Sequence, residues 1–417
     1  MIIERDIYLQ KLIDRQDNGS IKVITGIRRC GKSFLLFNLF YDYLLLQKID
    51  DSHVIRITLD DEEHEDLLDA KALGAYVREQ IIDEGMHYVF LDEIQEVSGF
   101  EKVLNGLNRL SNLDIYVTGS NSKFLSTDIL TEFRGRGDEV RVFPLSFSEY
   151  LPAHGGNLRD GWRDYYTYGG LPRILSRKTD ELKSKYLLDL FRKVYLDDIV
   201  ERNGVSNDVV MESVMRVLAS SVGSLTNPSK LSRTFKSTGQ GSATDKTISS
   251  YINYLKEAFL IEQSYRYDVK GRKYISTPLK YYFSDIGLRN VLLNFRQQEE
   301  NHIMENIVFN ELIVRGFNVD VGVVEYSARN EQGTSVRKQL EIDFVCNKGD
   351  QRYYIQSAFS IPGADKMEQE QRPLVRVADS FKKFIVVKDD IKPWRNEKGI
   401  TIMGIWDFLL DKNSLDY

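Results

Sequence analysis

The chain has 417 residues, 42% apolar and 28% charged, enough for roughly two to four separate hydrophobic cores. With 56 Lys and Arg against 62 Asp and Glu, the net charge of −6 excludes a uniformly basic coat for nucleic acid. Two cysteines, Cys30 and Cys346, exclude a disulfide scaffold, and no run reaches the roughly twenty apolar residues that cross a bilayer.

The amino terminus, Met1 to Asp6, becomes charged directly after two isoleucines and has no signal-like apolar core. A cytoplasmic protein with no membrane partner is expected. The first element is the apolar strand Lys22-Val23-Ile24-Thr25, which runs into Gly26-Ile27-Arg28-Arg29-Cys30-Gly31-Lys32-Ser33. That is GxxxxGK[ST], a loop whose glycines bend the backbone so that its amides face phosphates. Phe34-Leu35-Leu36, Leu39-Phe40 and Tyr43-Leu44 then repeat with helical period, supplying the helix whose positive end completes the anion site. The loop from Gly26 to Phe34 is therefore expected to bind ATP. Lys32 would reach the β- and γ-phosphates and Ser33 would hold Mg²⁺.

The strand Val54 to Leu59 is followed by the acids Asp60-Asp61-Glu62-Glu63 and Glu65-Asp66, which read as a solvated loop. Tyr88-Val89-Phe90-Leu91-Asp92-Glu93 is a short apolar strand ending in two acids, as a central parallel strand delivers carboxylates to a sheet end. Asp92 would hold Mg²⁺ and Glu93 would orient the attacking water. In Asp114 to Asn121 another apolar strand ends in small polar residues, and Ser120 or Asn121 would bond the γ-phosphate or that water. Phe133-Arg134-Gly135-Arg136-Gly137 offers two arginines in a glycine-rich turn. Arg136, presented to a neighbouring active site, would stabilise transition-state charge, which calls for a homo-oligomer.

Ser146-Phe147-Ser148-Glu149 has the spacing of a capping box and starts a helix. Residues 157–173, rich in Gly and Tyr, read as a lid or linker, with a helical stretch from about 179 to 201. The segments GIRRCGKS, VFLDE, YVTGSNS, Gly135-Arg136 with Val142 to Tyr150, and Gly169-Gly170-Leu171-Pro172 together resemble AAA-like bacterial and archaeal ATPases carrying a DUF4143 region. These stand near the STAND and origin-recognition-like branch of P-loop ATPases. The resemblance spans nearly the whole chain and implies that Gly170-Leu171-Pro172, on a helical lid, senses the nucleotide.

Asn227-Pro228 opens a short helix, and a second begins near Thr244-Asp245 with Ile248, Tyr251, Ile252, Leu255 and Phe259 on one face. Strand-like pieces at 260–267 and 280–283 flank the basic turn Lys270-Gly271-Arg272-Lys273, as a wing would. Between Leu225 and Lys280 ten Lys or Arg face four Asp or Glu, and the outer face of the second helix carries Lys246, Ser249, Ser250, Asn253 and Lys256. Double-stranded DNA is one expected partner for 225–280, while a nucleotide lid or a protein-contact module is the other reading.

The last region has a helix from His302 to Arg315 with Glu305 near its start, then Leu340-Glu341-Ile342-Asp343-Phe344-Val345 and Tyr353-Tyr354-Ile355-Gln356-Ser357-Ala358. It resembles the PD-(D/E)xK nuclease fold, where two carboxylates bind Mg²⁺ and a lysine helps activate water. Gln356 stands where the second acid belongs and Ala358 where the lysine belongs. No cleavage is expected. Glu305 and Asp343 would bind an ion feebly, with Lys338 or Lys366 as candidate migrated lysines.

The expected architecture is α/β: an AAA-like P-loop NTPase domain with a central parallel sheet (1–152), a helical lid or linker (153–205), a winged helix-turn-helix (206–295), and a catalytically degenerate nuclease-like α/β domain (296–417). The expected activity is Mg²⁺-dependent ATP hydrolysis coupled to rearrangement of domains or subunits. An ATP-gated nuclease, or a slow nucleotide-dependent switch, is the alternative.

Overall fold

The computed structural model describes residues 2–120, 137–238, 243–296, 299–330 and 333–417. They form two units. The first comprises Met1–Pro144 with Leu171–Arg173 and Glu257–Phe259, and the second comprises Leu145–Gly170, Ile174–Lys256 and Leu260–Tyr417.

The first unit is built on five strands, β1 (Ile21–Thr25), β2 (Val54–Thr58), β3 (His87–Asp92), β4 (Leu113–Gly119) and β5 (Gly137–Arg141), in the order β2-β3-β4-β1-β5. Every neighbouring pair is parallel. β1, β3 and β4 are buried along their whole length, as strands covered on both faces must be.

Alternation sorts their side chains. The odd-numbered Val23, Val89, Leu91, Ile115 and Val117 pack with Leu73 and Val77 of helix Ala70–Glu79 and with Leu104 and Leu107 of helix Phe100–Leu107. The even-numbered Phe90 and Tyr116 face the helix that follows the phosphate loop, whose Phe40 ring lies 5.8 Å from Phe90 and 4.8 Å from Tyr116. The same parity carries Asp92 and Thr118 to the strand ends on that face.

That helix departs from α geometry in the middle. Lys32–Phe34 is α-helical, Leu35–Phe40 is π-helical and Tyr41–Leu46 is α-helical again. Single π turns are concentrated at functional sites. The acidic stretch expected as an open loop contains a 3₁₀ helix, Glu62–Leu68, started by the Asp61 side chain accepting from the Glu63 amide.

In the second unit the capping box is formed: the Ser146 side chain accepts from the Glu149 amide while the Glu149 side chain accepts from the Ser146 amide. Helices Leu158–Tyr168, Asp180–Leu190, Asp208–Ser220, Pro228–Thr238 and Asp245–Glu257 come next. Ile248, Tyr251, Ile252 and Leu255 are buried, and Lys246, Ser249 and Asn253 are exposed, the sidedness their spacing requires.

Eight strands complete it: β6 (Ile261–Asp268), β7 (Lys273–Phe283), β8 (Asn318–Arg329), β9 (Ser335–Lys348), β10 (Gln351–Ala358), β11 (Lys382–Val387), β12 (Trp394–Arg395) and β13 (Ile400–Gly404). They form one sheet, β12-β13-β11-β10-β9-β8-β6-β7. The hairpin expected to project as a wing is thus part of this sheet, because β6 pairs in parallel with β8 through Arg266, Tyr267 and Asp268. A boundary near residue 295 falls inside the sheet. Helix Glu300–Val314 and helix Ala364–Val375 accompany the strands, and Leu374 packs against Ile342, Tyr354 and Ile385 in their core.

Candidate functional site

The phosphate loop joins β1 to its helix under tight backbone constraint. Gly26 has φ +139°, and a Cβ there would meet the Val142 carbonyl oxygen at 2.1 Å; Gly31 has φ +105°. Only glycine fits the first position and suits the second. Arg29, with φ +68°, bends the loop between them and is exposed.

Arg5 clamps the loop from outside the motif. It is buried, lies over the Tyr8 ring, and donates to the Cys30 carbonyl at 3.0 Å and to the Phe143 carbonyl at 2.6 Å. Burial pushes the Cys30 thiol above its usual pKa, so Cys30 packs as an apolar residue rather than reacting. Pro172 flanks the loop as well, its Cγ lying 3.9 Å from where a Gly31 Cβ would be. The Lys32 ammonium is buried and donates to the Gly26 carbonyl at 3.0 Å.

The strand ends bring the expected acids to the loop. Ser33 Oγ donates to Asp92 Oδ1 at 3.0 Å, and Thr118 Oγ1 donates to the same oxygen. The Glu93 amide in turn donates to Thr118 Oγ1 at 3.0 Å, so one hydroxyl ties both acids to β4. Burial raises the Asp92 pKa against the pull of these two hydroxyls. Glu93 is half-buried with φ +50°, a left-handed conformation that a glutamate adopts only at a cost of about 1–3 kcal/mol, of the kind stored at functional sites. The Gln95 side chain donates to its carboxylate.

Ser120 is buried just beyond β4, and its hydroxyl has no hydrogen-bond partner among the described residues. Arg136, Arg134, Gly135 and Asn121 lie outside the described residues. Two residues that sequence reasoning missed, Thr118 and Arg5, belong to this site. Thr118 was legible in principle as a polar residue at an inward position of a buried strand, whereas Arg5 has no local signal.

The second unit gathers the other expected group. Glu305, Asp343, Gln356, Ala358 and Lys366 line a cavity of about 470 Å³. The Ser357 amide donates to Asp343 Oδ2 at 2.9 Å and the Asp343 amide to Gln356 Oε1 at 3.4 Å, so Gln356 supports the backbone. Of the two candidate lysines, Lys366 pairs with Glu370 and Lys338 lies opposite Tyr326 in the sheet. The ammonium among the acids is instead that of Lys280 on β7, 2.9 Å from Glu305 and 2.8 Å from Glu341.

Burial, then the charge of Glu305, pushes the Asp343 carboxyl up from 3.8 to about 8. The folded chain therefore keeps a proton that the unfolded chain releases, and stability falls as pH rises across that window. The groups facing it are Lys280, Glu305 and Glu341, with His302, Lys366 and Glu370 on the same cavity wall. Asp343→Asn keeps an acceptor for the Ser357 amide and loses the charge. Urea denaturation of parent and variant is expected to show the variant gaining relative stability from about pH 4 to about pH 8. A constant difference would contradict the assignment.

The parallel sheet, the glycine-constrained loop and the acids at the adjoining strand ends define a phosphate-loop NTPase fold. Comparison with known proteins agrees: residues 18–151 match the AAA_14 model, described as an AAA domain, so the chain carries one. Residues 159–299 match a domain of unknown function, DUF8612, where the resemblance had implied DUF4143. The short motifs that suggested DUF4143 lie in or beside the phosphate-loop unit and do not specify the region C-terminal to it. An uncharacterized protein of Haemophilus influenzae is 34% identical over 415 residues, covering 98% of this chain and 99% of its own, and the chain belongs to the same family. An uncharacterized protein of Methanocaldococcus jannaschii is 28% identical over 384 residues, 88% of this chain and 79% of its own. Among solved structures, the Walker-type ATPase PABY2304 of Pyrococcus abyssi shares 18% identity with a TM-score of 0.49, covering 70% of this chain and 96% of its own. No helix among the described residues is long and apolar enough to cross a membrane.

Proposed function

We propose that the chain binds ATP with Mg²⁺ at Gly26 to Phe34 and hydrolyses it. The observation that carries this reading is the hydrogen-bonded series Ser33–Asp92–Thr118–Glu93 beside the glycine-constrained loop. The loop's backbone and the buried Ser120 hydroxyl, without a hydrogen-bond partner among the described residues, fit a bound triphosphate. Ser33 and Asp92 fit a hard cation, offering oxygen ligands side by side. Bound there, Mg²⁺ would neutralise charge on the phosphates.

The chain's own groups supply the rest. Loop amides and the Lys32 ammonium, exchanging its loop carbonyls for phosphate oxygens, hold and orient the triphosphate. Glu93 orients and polarises the water, and Ser120 bonds the terminal phosphate or that water. Pro172 beside Gly31 supports a sensing role for Gly170-Leu171-Pro172. Arg136 acts in trans in a homo-oligomer, so that turnover depends on assembly. Binding of a fluorescent ATP analogue with Mg²⁺ tests the site: Lys32→Ala is expected to weaken it by about ten- to a hundredfold, the loss of a charge-assisted hydrogen bond. Unchanged affinity would remove the loop from nucleotide binding.

The proposal extends to duplex DNA on the face that exposes Lys246, Ser249 and Asn253. It is supported by the local excess of basic residues in an acidic chain. Affinity is expected to fall steeply with added salt, and Lys246→Ala to reduce the logarithmic salt slope by about one. Fluorescence anisotropy at several salt concentrations measures both, and salt-independent binding would rule out a phosphate-driven contact.

A further inference from the structure

No motif marks Lys280, yet its ammonium meets two of the acids, Glu305 and Asp343, that line the second unit's cavity. It lies on β7, a strand that carries neither Glu305 nor Asp343, and is 2% exposed. Its Nζ is 2.9 Å from Glu305 Oε1, 2.8 Å from Glu341 Oε1 and 3.6 Å from Asp343 Oδ1. Glu305 comes from helix Glu300–Val314, and Glu341 and Asp343 come from β9. Three acids converging from two elements repel one another unless a cation stands between them.

The surroundings hold that arrangement. Tyr282 shares a face of β7 with Lys280, stacks on Phe309 with ring centroids 4.1 Å apart, and donates to Glu305 Oε1 at 2.8 Å. The backbone closes in at Gly223, where a Cβ would lie 2.9 Å from both Glu305 carboxylate oxygens.

We propose that the Lys280 ammonium is the resident cation of this acid cluster, standing where paired carboxylates elsewhere hold a divalent ion. The native cluster therefore takes up neither Mg²⁺ nor Mn²⁺, and removing the ammonium turns it into a divalent-cation site. Burial decides against the other role a lysine has beside such acids. Lys280 is closed off from any substrate in the cavity, and its two shortest contacts are ion pairs with carboxylates, the one to Glu305 also a hydrogen bond.

The charge balance agrees. Burial works against the ammonium, but Tyr282, Glu305, Asp343 and Glu341 outweigh it and hold the Lys280 pKa well above its usual value. Beside this single positive charge, burial and then the charge of Glu305 push the Asp343 carboxyl up to about 8. A divalent ion in place of the ammonium would favour the ionised form of Asp343.

The test is Mn²⁺ binding by electron paramagnetic resonance on full-length protein without nucleotide, in an Asp92→Asn background so that the phosphate loop contributes no site. The parent is expected to show no Mn²⁺ binding that Asp343→Asn abolishes. Lys280→Ala is expected to bind one equivalent at least tenfold more tightly than the parent, and to lose it when Asp343→Asn is added. Mn²⁺ bound by the parent and lost with Asp343→Asn would overturn the proposal, as would a folded Lys280→Ala protein with no gain. Should Lys280→Ala fail to fold, recovery of its circular dichroism by millimolar Mn²⁺ but not K⁺ supports the proposal, and absence of recovery overturns it.

Discussion

Glu93→Gln is expected to retain binding of Mg²⁺ and ATP while turnover falls by about 10²–10⁴-fold, the usual contribution of a positioned general base. The amide keeps the side chain's shape, and the Glu93 main chain stays tied to Thr118 through its own N–H, so the loop and Asp92 are undisturbed. What is lost is the negative charge proposed to orient and polarise water. Phosphate release from purified protein, with analogue binding measured in parallel, separates the two quantities. Turnover equal to the parent would remove Glu93 from catalysis, and loss of binding would make its role structural.

Asp114→Ala is expected to destabilise the first unit by about 3–5 kcal/mol, because it strands a buried charge. Lys22 is fully buried on β1 and its ammonium bonds Asp114 on β4, over the face of Tyr116. Asp114 also accepts from the Asp17 amide at 3.0 Å and the Tyr116 hydroxyl at 2.8 Å. Removing the carboxylate leaves three donors without an acceptor. The double variant Lys22→Met, Asp114→Leu is expected to recover the part of the loss due to the stranded ammonium, while the Asp17 amide and the Tyr116 hydroxyl still lack their acceptor. Urea denaturation measures both, and a single-variant loss below about 1 kcal/mol would mean that water reaches the ammonium.

Several elements were legible because their causes are local. The glycines at 26 and 31 answer to a bend within eight residues, the Ser146–Glu149 box spans one helical turn, and the buried face of helix Asp245–Glu257 reflects its 3.6-residue period. Asp92 and Glu93 were readable for the same reason, since an apolar strand that ends in acids can place them only at a sheet end. The π turn at Leu35–Phe40 and the left-handed Glu93 left no mark, because neither uses a residue type that announces it. In the C-terminal region the approach of Glu305 to Asp343 was readable, but the lysine beside them was not. The residues on and near β9 and β10 offered Lys338 and Lys366, whereas the ammonium arrives from β7, more than sixty positions before Asp343.

By itself the amino-acid sequence determined a phosphate loop, the helix behind it, two carboxylates at a strand end and a helix pair with one apolar face. Tertiary structure alone decided that Thr118 joins Asp92 to Glu93, that the 261–283 hairpin extends an eight-stranded sheet, and that Lys280 sits among Glu305, Glu341 and Asp343. The division has a physical basis. Backbone bends, caps and periodicity are set by residues within a turn or two of one another, whereas a cross-strand partner is set by register, which only packing of the whole sheet selects.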